Sequence, residues 1–275
     1  MVLGIASSTK SALKKISEKV IFKPVRWETI FAFPPGFSIE REKGFWMHAL
    51  TKYLRSSIGR KQLMGVTGIF LYFFLFIHML GNFGVFSGAE QYNKYGHLLL
   101  HDLGEILLPI EAALFAALII HVILAIRLTI ENKAARPIAY AVTPSHGKKT
   151  LYSATMMITG LSILAFSFIH IAHFRFGAVT GNTMVTYDGV EMRDLYGTMM
   201  GAFAIWWYTL SYVTVMVLIF SHLAHGVQSS LQSLGLNHPK YTPTLKLLGR
   251  TYAVFISGGF SLFAIWAYFQ HGGTP

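Results

Sequence analysis

The chain contains no cysteine and few charged residues. None of its 275 residues is a cysteine, which excludes disulfides, zinc–thiolate sites, iron–sulfur ligation and covalently attached c-type haem. Only 13% of the residues are charged, about half of the ~25% found in a typical soluble domain, whereas 53% are hydrophobic. This composition does not fit a soluble fold, and it leaves 12 histidines as the strong metal ligands.

Acidic residues are also scarce. The 12 Asp and Glu against 23 Lys and Arg give a formal net charge of +11. A basic balance can indicate nucleic-acid binding, but long apolar runs without charge indicate membrane helices instead. The first 61 residues have no apolar core followed by a small-residue cleavage site, so the sequence predicts no cleaved signal peptide there.

Five apolar segments are each close to the ~20 residues that a helix needs to cross a bilayer. They lie at residues 62–86, 104–130, 152–174, 197–231 and 251–270. The sequence therefore predicts an all-α membrane protein, with a bundle of five transmembrane helices in residues 56–275 and a cytoplasmic extension in residues 1–55. No internal repeat is evident.

Basic residues are divided unequally between the two ends of these helices. Twenty of the 23 Lys and Arg residues lie at the end that includes the N-terminus, and three lie at the other end. Because Lys and Arg concentrate in cytoplasmic segments, we expect the N-terminus to be cytoplasmic and the C-terminus to lie outside.

Histidine is frequent within the predicted helices, where an ionisable residue is costly and indicates a function. Six histidines lie in or at the ends of four helices: His78, His121, His170, His173, His222 and His225. At a rise of about 1.5 Å per residue, His78 and His170 share a level near the outer surface. His121 and His222 share a level nearer the inner surface.

Two histidine pairs at two depths fit two b-type haems, because each iron takes one imidazole from each face of the macrocycle. We expect His78 and His170 to bind an outer haem iron, and His121 and His222 an inner one. A lone intramembrane histidine more often bonds a neighbouring helix, but four at matched depths argue against that reading. His173 and His225, three residues further along their helices, remain alternative ligands.

Five motifs surround these histidines. They are S-S-I-G-R-K-x-L-M-G-x-T-G at 56–68, L-F-I-H-M-L-G-N at 75–82, H-V-I-L-A-I-R at 121–127, F-I-H-I-A-H-F-R at 168–175 and S-H-L-A-H-G-V-Q-S-S-L-Q-S-L-G at 221–235. Together they resemble the cytochrome b membrane-anchor subunit of succinate:quinone oxidoreductases, in its single-chain, five-helix, dihaem type. The resemblance covers about residues 56–270, and the family's H-x-x-x-G pattern falls on His222 and Gly226.

The resemblance implies a subunit of a succinate dehydrogenase or fumarate reductase in a bacterial inner membrane. In that family a flavoprotein subunit interconverts succinate and fumarate, and an iron–sulfur subunit relays the electrons. The anchor docks both on its cytoplasmic face and exchanges electrons with quinone. The resemblance thus implies two haems b as cofactors and quinone, with menaquinone favoured, as substrate. It also implies membrane lipid, but no nucleic acid, as a partner.

Two locations for quinone stay open at this point. An inner site would lie near Ser57, Arg60 and Lys61, although Arg60 and Lys61 are also explained as positive-inside anchors and propionate partners. An outer site would use Glu105 and Glu111 to handle the two protons of quinone reduction. Solvation at a helix N-terminus, where the dipole favours a carboxylate, is the alternative explanation for Glu105.

Three polar residues near the inner level are candidates to bind haem propionates: Arg127, Arg136 and Gln228. Arg127 is explained equally well as a side chain that extends to a lipid phosphate. Three glycines, Gly81, Gly160 and Gly226, are expected to allow close approach of a flat macrocycle to the backbone. Phe220 stands where some fumarate reductase anchors carry a Glu used as a proton path, so no such path is expected at that position.

Two other functions are compatible with the sequence. One is the cytochrome b subunit of another quinone-linked membrane oxidoreductase, such as a formate dehydrogenase, hydrogenase or nitrate reductase. The other is a small proton-coupled transporter whose histidines relay protons. Broken helices and inverted repeats would favour the transporter, and neither is apparent in the sequence.

Overall fold

The computed structural model describes residues 39–135, 151–177 and 183–270. The helices of these ranges are α1 Ile39–Arg55, α2 Ser57–Phe83, α3 Ala89–His97, α4 Gly104–Ala134, α5 Leu151–Phe174, α6 Leu195–Phe203, α7 Trp206–Ser233 and α8 Thr242–Gln270. Two strands, β1 Met184–Tyr187 and β2 Val190–Arg193, form an antiparallel hairpin between α5 and α6. The chain divides into two compact units, residues 1–52 and residues 53–275, and the site described below lies in the second.

Five of these helices, α2, α4, α5, α7 and α8, are long and apolar enough to cross a membrane. Their most apolar windows have mean hydropathies between 1.5 and 2.4. Many large apolar side chains of α4 and α5 are exposed on the isolated chain, as expected for helices whose outer faces are covered by lipid. The prediction of a multi-pass membrane protein with five spanning helices is confirmed.

The first spanning helix begins earlier than predicted. Hydropathy places its start at residue 62, after Lys61, but α2 begins at Ser57. The Ser56 hydroxyl accepts a hydrogen bond from the Gly59 backbone N–H at 3.0 Å, which satisfies one free donor of the first turn. A hydropathy window excludes this first turn because the basic side chains of the turn lower the mean hydropathy. Such side chains nevertheless extend readily to the lipid headgroups.

The segment predicted as one helix at residues 197–231 consists of two helices, α6 and α7. Ile205 between them has an extended backbone, with φ −85° and ψ 116°, which ends one helix and caps the next. The Thr209 hydroxyl donates to the Phe203 carbonyl at 2.7 Å and so satisfies an acceptor freed by the break. The last helix also differs, since α8 begins at Thr242 rather than at residue 251.

The hairpin departs from the all-α prediction, because hydropathy does not detect two four-residue strands. Asp188 and Gly189 at its tip have φ values of 53° and 77°, the left-handed backbone of a two-residue type I′ turn. Lys94 of α3 donates to Asp188 at 2.5 Å and to Glu90 at 2.7 Å. Hydrogen bonds to these carboxylates, Asp188 first, raise the pKa of Lys94, so the hairpin and α3 stay linked across the physiological pH range.

Helix α7 packs most extensively among the spanning helices, against α8, α5 and α2, while α4 packs mainly against α2. The best buried side chains, among them Met79 and Ile256 at 0% exposure, lie where α2, α7 and α8 meet. The histidine-bearing helices thus form two pairs, α2 with α4 and α5 with α7, joined through the contact of α2 with α7.

A buried asparagine joins α3 to the start of α6. Asn93 is fully buried; its amide donates to Asp194 at 2.9 Å and its carbonyl accepts from the Tyr196 backbone N–H at 2.9 Å. Asn93→Ala leaves that N–H without its acceptor, which is expected to lower the free energy of unfolding by about 1–3 kcal/mol. Thermal unfolding in detergent measures this, with the exposed Asn132→Ala as control; equal melting temperatures would contradict the assignment.

Candidate functional site

The two histidines predicted to share the outer level lie side by side. The rings of His78 on α2 and His170 on α5 have centroids 5.8 Å apart and are perpendicular. Each ring also packs against the phenylalanine one turn earlier on its own helix, Phe74 at 5.3 Å and Phe166 at 5.6 Å. The structure therefore brings two imidazoles from different helices together in an aromatic pocket.

A chain of hydroxyl groups leads from this pair to His173. The ring Nδ1 of His170 lies 3.2 Å from the Tyr212 hydroxyl, and the Tyr208 hydroxyl donates to that of Tyr212 at 3.0 Å. The Nδ1 of His173 lies 2.5 Å from the Tyr208 hydroxyl. His170 thus faces His78, whereas His173, only 1% exposed, lies at the far end of the hydroxyl chain. This geometry favours His170 over His173 as the partner of His78.

The inner histidine of α4 is held by α2. The Nδ1 of His121 lies 3.3 Å from the Thr67 hydroxyl oxygen. The next residue, Gly68, lies under the same ring: a Cβ added there would be 3.4 Å from His121 Cε1. Thr67 and Gly68 of α2 therefore hold the imidazole ring of His121 on the neighbouring helix α4.

The inner histidine of α7 is held by α5 in the same way. The Nδ1 of His222 lies 3.3 Å from the Thr159 hydroxyl oxygen, and a Cβ added at Gly160 would be 3.3 Å from His222 Cε1. His121 and His222 are near enough to interact electrostatically. His225, the alternative to His222, is half-buried one turn further along α7.

The expectation that the chain has no internal repeat is wrong. The pattern M-x-x-T-G-x5-F-x-F-I-H occurs at residues 64–78 of α2 and again at residues 156–170 of α5. One span, α4, separates these helices, so both cross the membrane in the same direction. Equivalent residues of the two helices, such as His78 and His170, therefore lie at similar depth. A search for repeats of helix length finds this signal.

The site fits a haem in three respects. Its donors are four imidazoles, the axial ligands of many b-type haems. Gly68 and Gly160 leave room beside His121 and His222 that a Cβ would fill. Lastly, two arginines carry buried nitrogen atoms that no acceptor satisfies in the described residues, Nε of Arg60 and both Nε and Nη2 of Arg193. Buried donors of this kind suit an acidic group such as a propionate.

The two arginines lie near opposite ends of the spanning helices. Arg60 is 14% exposed and pairs with Glu131 of α4 at 2.7 Å. Arg193 of β2 donates to the Arg175 carbonyl at 3.1 Å and lies near enough to His173 to interact with it electrostatically. Burial, and then the charge of Arg175, lower the pKa of Arg193. Neither Glu131 nor Arg193 was identified from the sequence, since Glu131 lies far along the chain from Arg60 and Arg193 lies in a hairpin that hydropathy does not detect.

The remaining candidates for the inner level have varied surroundings. Arg127 is 60% exposed and bonds Glu131 at 3.1 Å, so it lies at the surface while Arg60 is the buried partner of the same carboxylate. Ser57 and Lys61 are exposed, and Gln228 is half-buried. Arg136 lies outside the described residues.

The acidic candidates at the outer side lie along α4. Glu111 pairs with Arg175, at the end of α5, with distances of 3.3 and 3.4 Å. The ion pair explains how a carboxylate is tolerated within a spanning helix. Glu105 is exposed in the first turn of α4. The structure thus places Glu111 between two helices and Glu105 at the surface.

No match emerges from comparison of the chain with family models, with curated proteins or with solved structures. Its function therefore has to be argued from the site itself.

Proposed function

We propose that the protein is the dihaem cytochrome b membrane anchor of a succinate dehydrogenase or fumarate reductase. The observation that carries the proposal is the duplicated histidine arrangement. Helices α2 and α5 share a repeated motif and supply His78 and His170. Each packs against a helix that supplies a further histidine, His121 on α4 and His222 on α7. A haem with two histidine ligands needs one imidazole from each side, and the four helices offer two such sets.

In this proposal His78 and His170 hold the outer haem iron, and His121 and His222 hold the inner one. The haems supply one-electron redox groups at two depths of the membrane. The chain's own residues bind, orient and shield them. Arg193 supplies buried donors near the outer end, and Arg60 supplies one near the inner end. Gly68 and Gly160 keep the backbone close to the inner imidazoles.

The charge distribution supports a cytoplasmic docking face. The N-terminal end of the helices carries most of the Lys and Arg residues, so it faces the cytoplasm of a bacterial inner membrane. A flavoprotein and an iron–sulfur subunit would bind there and pass electrons to the inner haem. Because the chain has no cysteine, iron–sulfur clusters belong to the partner.

Quinone, with menaquinone favoured, reacts at the outer side in this proposal. The pair of Glu111 with Arg175 lies at the end of α5 that carries His170 and His173, and Glu105 is exposed two turns earlier on α4. Carboxylates that reach both solvent and the outer haem are suited to passing quinone protons. The inner alternative, at Ser57, Arg60 and Lys61, is weakened by the ion pair that engages Arg60.

Purification of the tagged full chain from its own membranes tests the proposal. The expected result is co-purification of one flavoprotein and one iron–sulfur protein, with succinate-dependent reduction of a quinone or quinol-dependent reduction of fumarate. A haem-containing complex with formate dehydrogenase, hydrogenase or nitrate reductase activity would contradict the assignment to this family. A chain without haem would contradict the redox function altogether and favour proton transport.

A further inference from the structure

Two threonines at equivalent positions of the internal repeat contact the inner histidines. Thr67 on α2 and Thr159 on α5 each lie 3.3 Å from the Nδ1 of a histidine on the neighbouring helix, His121 and His222 respectively. Both threonines are buried, at 6% and 3% exposure. A hydroxyl group buried among apolar helices is costly unless it is bonded, and its recurrence in both units indicates a shared role.

The direction of these hydrogen bonds follows from the proton of each hydroxyl. Thr67 donates to the carbonyls of Leu63 and Met64 in its own helix, at 2.9 and 3.0 Å. A hydroxyl has one proton and two lone pairs, so its oxygen is left to accept from His121. The ring of His121 also interacts with the Met64 backbone. This arrangement favours the tautomer of His121 with its proton on Nδ1.

The second unit repeats this arrangement. Thr159 donates to the carbonyls of Thr155 and Met156, both at 3.1 Å, and the ring of His222 interacts with the Met156 backbone. This arrangement favours a proton on Nδ1 of His222 as well. In both rings Nε2 is then left with its lone pair, which is the form of imidazole that binds a metal.

We propose that Thr67 and Thr159 are matched positioning residues for the inner haem. Each fixes the orientation of one inner imidazole and the nitrogen that carries its proton, so that both Nε2 atoms would be free to bind the iron. This inference rests on the proposed dihaem function. Partners of this kind orient the ligands of a metal and make them more basic, which stabilises the oxidised iron. The outer pair differs, since His170 meets a tyrosine hydroxyl instead.

The test compares single Thr67→Val and Thr159→Val variants of the purified complex, because valine keeps the shape and removes the hydroxyl. Each is expected to weaken retention of the inner haem about 10–100-fold. In molecules that keep this haem, we expect a higher midpoint potential and an altered low-spin electron paramagnetic resonance signal. The outer haem is expected to keep its potential and signal. The inner haem is identified by its loss in His121→Ala.

Two further variants complete the test. Thr67→Ser, which restores the hydroxyl, is expected to restore the parent potential. Thr214→Val on α7 is the matched control, since Thr214 is exposed and bonds only its own helix in the described structure. Unchanged inner-haem retention, potential and signal in both valine variants would overturn the inference, as would equal effects on both haems. An absence of haem from the parent complex would instead overturn the proposed function.

Discussion

Replacement of either His78 or His170 by alanine is expected to remove one haem b and to leave the other in place. Replacement of His121 or His222 should remove the other haem. The reason is that each iron needs two imidazoles, and the loss of one leaves an open coordination position in an apolar pocket. The pyridine haemochrome assay should show the haem content of each variant falling from two per chain to one.

Redox titration shows which haem each variant has lost. His78→Ala and His170→Ala are expected to lose the same redox transition, and the two inner variants the other. His238→Ala is a suitable control, because His238 is exposed after α7 and should leave both haems unaffected. Loss of the same haem in His78→Ala and His222→Ala would show that the pairing of the histidines by depth is wrong.

Replacement of Gly160 or Gly68 by valine is expected to displace the inner haem selectively. A Cβ at these positions would lie 3.3 Å from His222 Cε1 or 3.4 Å from His121 Cε1, and the added methyl groups of valine would push the ring out of place. Overpacking of this kind costs about 1–3 kcal/mol, a change of about 5–150-fold in an equilibrium. Haem content measured after detergent washing should fall towards one per chain.

Gly258→Val is the matched control for this prediction. Gly258 lies on the spanning helix α8, and nothing lies within 4 Å of a Cβ added to it. The control should retain two haems and the parent melting temperature. Equal loss of haem from Gly258→Val and Gly160→Val would contradict a specific role for the glycine, because both would then act only through helix packing.

The long spans and the outer pair of histidines were predictable from simple rules. Hydropathy located all five spanning helices, because length and apolar composition are nearly sufficient for a membrane helix. Counting residues along straight helices brought His78 and His170 to one level, where the structure places their rings 5.8 Å apart. The same count put His121 and His222 together, although it could not reveal the threonine and glycine that hold each ring.

Other features depended on contacts that a linear pattern does not contain. Arg60 bonds Glu131, which lies 71 residues further along the chain. Counting basic residues at the two ends of the helices identifies such an arginine only as a cytoplasmic anchor. Helix ends were misplaced at Ser57 and Thr242, because hydropathy does not register capping or basic first turns. The repeat was present in the sequence but diluted, since few positions of the two helices are shared between its copies.

In the proposed function the four paired histidines bind two haems b. The decisive measurement is the haem content per chain, obtained by the pyridine haemochrome assay on the purified complex and calibrated by quantitative amino-acid analysis. We expect two haems b per chain, with two separate transitions in a redox titration. One haem per chain would contradict the two-level arrangement, and none would contradict the redox function.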